Sequence, residues 1–119
     1  MAQVLAFVDD IFFQAKLVET AKQLGVEVCT CQTPEALDAE IAKAVPKLIV
    51  VDLNARSNPL EAVGRVQAKG PEIPLIGFLS HLQLDLAERA RVAGCREIMP
   101  RSKFTKNLAT ILARAKSEF

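Results

Sequence analysis

Asp9 and Asp10 follow the apolar run Val4-Leu5-Ala6-Phe7-Val8, and Asp52 follows the run Leu48-Ile49-Val50-Val51. Near-continuous apolar runs of this length are how strands buried on both faces read. An acid placed straight after such a run lies at the strand's carboxyl end, where open α/β sheets bind ligands. If the two strands are neighbours, the three carboxylates meet at one point. Like charges so close raise one another's pKa unless a cation is shared. The pattern therefore predicts a divalent metal and phosphate-type chemistry. Ser80 and His81 follow a later apolar run, and Arg101 follows Met99-Pro100.

Strand-like and helix-like patterns alternate along the chain and would position these residues. Strands are expected over 3–8, 26–31, 47–53, 73–79 and 96–99. The second, alternating and β-branched, is expected at an edge. Helices are expected over 11–24, 34–44, 60–69, 82–93 and 104–116. Gly25 and Gly94 stop two of them, and Thr33-Pro34 caps the start of another. Phe7, Phe12 and Phe13 are expected in core or helix-start packing. Strict alternation argues an α/β fold of five βα units, with a parallel sheet and helices on both faces.

Composition narrows the function. The 119 residues fit one domain, 1–119. Fifteen Lys and Arg against fourteen Asp and Glu give no electrostatic case for nucleic acid or an anionic membrane. Trp and Tyr are absent, so base-stacking platforms are poorly supplied. The three cysteines Cys29, Cys31 and Cys95 have no CxxC spacing and fit small buried hydrophobes in a reducing compartment. No apolar run reaches the length of a membrane helix, so a cytoplasmic protein is expected. A nucleotide or flavin site would need a Gly- or Ser/Thr-rich cradle after the first strand. Asp9-Asp10-Ile11-Phe12-Phe13 is acidic and bulky instead.

With these elements in place, the chain resembles the receiver domain of two-component response regulators, of the CheY-like superfamily. The resemblance rests on Asp9-Asp10, Asp52, Ser80 and the small-residue run Ala90-x-x-Ala93-Gly94-Cys95, in the right topological order. It implies a flavodoxin-like doubly wound sheet of order 2-1-3-4-5. It also implies a phosphoacceptor signalling domain rather than an enzyme. Asp52 would accept the phosphoryl group. Asp9, Asp10, Asp52 and the backbone carbonyl of Asn54 would hold Mg²⁺. Ser80 and Arg101 would bind the phosphoryl group. A histidine kinase or phosphotransfer protein would supply it. Residues 82–116, with Leu82, Leu86, Ala90 and Ala93 aligned, would form the face for an output protein or a second copy. With no further domain attached, the receiver would stand alone.

Several positions depart from that pattern. Arg101-Ser102 stands where the family more often has Lys-Pro, commonly with a cis peptide. Arg101 either contacts the phosphoryl site or lies on a solvated loop, and Arg is not equivalent to Lys. His81 would narrow access to Asp52, contact the phosphoryl group or be solvated. Arg56 takes the place of a common Pro and is expected in solvent, with approach to an anion as the alternative. Ile98 occupies the switch position that is usually aromatic. These departures carry the alternative of a phosphorylation-independent pseudo-receiver that serves as a protein-interaction module. Acid side chains that point apart, or an Arg101 that permanently plugs the space between them, would end the case for phosphate signalling.

Overall fold

The structure, a computed structural model, describes residues 2–80 and 83–116. His81 and Leu82 lie outside the described residues. The elements run β1 (Val4–Phe7), α1 (Ile11–Leu24), β2 (Val28–Cys31), α2 (Pro34–Lys43), β3 (Leu48–Asp52), α3 (Pro59–Lys69), β4 (Leu75–Leu79), α4 (Leu84–Ala93), β5 (Glu97–Pro100), α5 (Arg101–Lys106) and α6 (Leu108–Ala113). All strand pairs are parallel and the order is β2-β1-β3-β4-β5. The parallel sheet is what the alternating pattern predicts, and its doubly wound order is the one that the resemblance implies.

Strand alternation builds two cores. Val4, Ala6, Leu48, Val50, Ile76 and Phe78 pack with Phe13 and Leu17 of α1, Phe104 of α5 and Leu108, Ile111 and Leu112 of α6. Leu5, Phe7, Ile49, Val51 and Leu79 pack with Leu37 of α2, Val63 and Val66 of α3 and Ala90 of α4. Each fully buried large side chain contributes about 1.5–3 kcal/mol. Phe7 and Phe13 lie in these cores as expected. Phe12 does not: it is 83 % exposed. It neighbours Phe13 on α1, and consecutive helical residues do not share a face.

The C-terminal segment departs from the expected single helix over 104–116. It begins three residues earlier, at Arg101, with extended Pro100 as the N-cap residue. It then breaks at Asn107, whose backbone has φ −105° and ψ 18°. The Asn107 side chain donates to the Lys103 carbonyl at 2.9 Å. Side-chain bonding of this kind competes with the helical ladder. No cis peptide occurs among the described residues, so the Met99–Pro100 bond is trans.

Candidate functional site at the carboxyl edge of the sheet

Asp52 is the last residue of β3 and the one buried polar or charged residue described, at 2 % exposure. Alternation puts it on the face of Val50, the α1 and α5 side. Its register partner on β4 is Phe78. Asp9 and Asp10 come from the end of β1, the other neighbour of β3, because Phe7 pairs with Val51. Arg101 arrives from the end of β5 as the first residue of α5.

Arg101 joins two of the three acids. Its Nη2 donates to Asp52 Oδ2 at 2.9 Å, and its Nη1 lies 3.9 Å from Asp10 Oδ2. The guanidinium carbon also sits 4.9 Å from the centre of the Phe13 ring and 5.3 Å from that of Phe78. Planar, weakly hydrated guanidinium suits both contacts at once. The structure places the Arg101 guanidinium on Asp52 and beside Asp10.

The remaining acid oxygens have their own work. Asp10 is the N-cap residue of α1: its Oδ1 accepts from Phe12 N–H at 2.9 Å and Phe13 N–H at 3.2 Å. Asp52 Oδ1 accepts from Asn54 N–H at 2.9 Å. Asp9 turns to the β3–α3 loop, where its Oδ2 accepts from Arg56 N–H at 3.0 Å and from Arg56 Nε at 3.5 Å. The Arg56 side chain is largely exposed, yet it is not simply solvated: its guanidinium approaches the Asp9 carboxylate. Burial pushes the Asp52 carboxyl above its ordinary pKa; the Asn54 N–H and the Arg101 charge pull it back, while Asp9 and Asp10 add to the rise.

Oxygen donors of this type suit Mg²⁺. Their arrangement does not: among the described residues no three acidic, His or Cys side chains are grouped to hold a metal ion. The expected three-carboxylate cup is a two-plus-one arrangement, with Arg101 between Asp10 and Asp52 and with Asp9 held by Arg56. The residues as they stand do not fit the ion.

Asn54 enters through its side chain, a role the sequence did not suggest. Its Oδ1 accepts from Ser80 N–H at 2.6 Å and its Nδ2 donates to Gln83 Oε1 at 2.7 Å. It thereby ties the loop after β3 to the loop after β4. Ser80, Arg101, Ser102, Thr105 and Lys106 line one open groove. Ile98 is half-buried and lines a second groove of about 210 Å³ with Leu79, Ser80, Leu84, Ala87 and Pro100. No signal in the sequence marked Phe13, Phe78 or Gln83 as neighbours of the site.

No family model and no curated protein matches the sequence. Solved structures do match in three dimensions. CheY4, the chemotaxis response regulator of Vibrio cholerae, is 22 % identical with a TM-score of 0.81, over 98 % of this chain and 99 % of that one. The receiver domain of NtrX from Brucella abortus is 19 % identical with a TM-score of 0.78, over 94 % and 96 %. A CheY-like response regulator receiver domain protein from Methanospirillum hungatei is 15 % identical with a TM-score of 0.77, over 97 % and 96 %. The chain has the fold of response regulator receiver domains. It spans only 27 % of the longer NtrX chain it matches. No described helix is long and apolar enough to cross a membrane.

Proposed function

We propose that the chain is a receiver-type signalling module in which Asp52 accepts a phosphoryl group from a histidine kinase or phosphotransfer protein. One observation carries this reading: a lone buried carboxylate stands at the carboxyl edge of the central strand, flanked by two acids and touched by one cation. Burial at a sheet edge is a costly place for a charge with no task. Asp52 would attack phosphorus with a carboxylate oxygen, and the donor's phosphoramidate nitrogen would leave. Arg101, already on Asp52, would turn its donors to the new phosphoryl oxygens, which guanidinium binds in pairs. Ser80, fixed through Asn54, would supply a hydroxyl from the neighbouring loop. Movement of Arg101 and Ser80 would alter α5 and the face of α4 and β5 offered to an output protein. Treatment with a small phosphodonor and Mg²⁺, followed by intact mass, tests the reading. Gain of one phosphoryl group by the wild type and none by Asp52→Asn is the expected result. No gain, where a control receiver is labelled, rules it out.

The Arg101–Asp52 bond favours a second reading, in which the module binds its partner without phosphorylation. Under that reading Asp52→Asn leaves partner binding and output unchanged.

A further inference from the structure

We infer that Arg101 is a resident counter-cation that holds the acidic site against divalent metal ions. The inference rests on the reading of Asp52 as the functional carboxylate, and it concerns how that carboxylate is guarded. The seat is built from three directions. Asp52 and Asp10 present oxygens at 2.9 and 3.9 Å. Phe13 and Phe78 present ring faces at 4.9 and 5.3 Å. Phe104, on the same short helix as Arg101, stacks on Phe78 with ring centres 4.4 Å apart and lies 5.9 Å from Phe13. The helix that carries Arg101 is thus anchored to the rings on which its guanidinium lies.

A metal ion entering here meets few free oxygens. Asp10 Oδ1 is committed to capping α1, Asp52 Oδ1 to Asn54 N–H, and Asp9 Oδ2 to Arg56. The remaining oxygens of Asp10 and Asp52 face Arg101. A dication bound to them would stand beside a fixed positive charge, and Mg²⁺ gives up its waters reluctantly. Binding therefore requires that Arg101 leave. An ammonium in its place would lack the planar stacking on the rings and would leave more readily.

Titration with Mg²⁺ alone, followed by the backbone amide NMR signals of Asp10, Leu53 and Asn54, tests this. Arg101→Met keeps a packed stem and removes the charge. Its affinity for Mg²⁺ should exceed that of the wild type by about tenfold or more, and adding Asp52→Asn should abolish the gain. Equal affinity in wild type and Arg101→Met, or a gain that survives Asp52→Asn, overturns the inference. If Arg101→Met does not fold, Phe13→Leu reads the same competition by loosening the seat. A smaller gain in affinity is then expected, and no gain overturns it. Phosphodonor labelling of the same samples reports separately on Asp52. Absent label with the Mg²⁺ competition intact removes the phosphoacceptor reading and leaves the counter-cation in place.

Discussion

Removing the Arg101 charge isolates the energetics of the site. In Arg101→Met the Asp52 carboxylate stays buried and loses its only charged donor among the described residues. Breaking a fully buried ion pair from one side costs about 3–5 kcal/mol, whereas an exposed pair contributes about 0–1 kcal/mol. Here the Asp52 side chain is 3 % exposed and that of Arg101 34 %. Solvent reaches one partner, so the expected loss at neutral pH is about 1–3 kcal/mol. The pH dependence has a definite sign. The folded Asp52 pKa already lies above its ordinary value, chiefly through burial. Protonation therefore favours the native state, a contribution fully present at low pH and lost as pH rises through the folded pKa. Without Arg101 that pKa rises further. The penalty of Arg101→Met should thus grow with rising pH and vanish in acid. Urea unfolding of wild type, Arg101→Met, Asp52→Asn and the double variant gives the coupling. A coupling under about 0.5 kcal/mol, or a penalty independent of pH, would refute the electrostatic account.

Other consequences are as specific. Asp10→Ala should lose about 1 kcal/mol by uncapping α1, with Asp10→Ser recovering most of it in thermal unfolding. Gly77→Ala should destabilise by about 1–3 kcal/mol, because a Cβ there would meet Cys95 Sγ at 2.8 Å and Leu53 Cδ1 at 3.0 Å. Burial pushes the Asp38 carboxyl up, but bonds from Arg65 and Lys69 outweigh it and hold the pKa below the ordinary value. That stabilisation is present above the ordinary Asp pKa and lost as pH falls through the folded one, so Asp38→Asn should flatten the acid limb of stability against pH. Burial raises Cys31 to about 12 and Cys95 to about 11, so iodoacetamide at mildly alkaline pH should leave both unmodified until the protein is unfolded.

How much was legible in the sequence follows from range. Runs such as Leu48-Ile49-Val50-Val51 announce a strand buried on both faces because every residue must be apolar. The acids at their ends inherit positions at the sheet edge, so the pattern puts Asp9, Asp10 and Asp52 near one another, while it leaves Arg101 open between the site and a solvated loop. What each oxygen would bond was not legible. Asp10 caps α1 through its own two neighbours, which is local, but its position beside Asp52 favoured the metal interpretation. Arg56 reaches Asp9 across 47 residues, and the loop that delivers its N–H has no periodic pattern. The Phe13 and Phe78 faces under Arg101 depend on how three helices and strands pack, which no spacing encodes. Phe12 was misplaced for a related reason: two adjacent aromatics at a helix start cannot both face one core, and composition does not say which will.

The proposed carrier of the phosphoryl group is Asp52. Borohydride trapping after reaction with a phosphodonor and Mg²⁺, followed by peptide mapping, locates the acyl phosphate directly. A single reduced residue at Asp52 is the result expected. Reduction at another carboxylate, or at none while a control receiver is trapped in the same buffer, would contradict it.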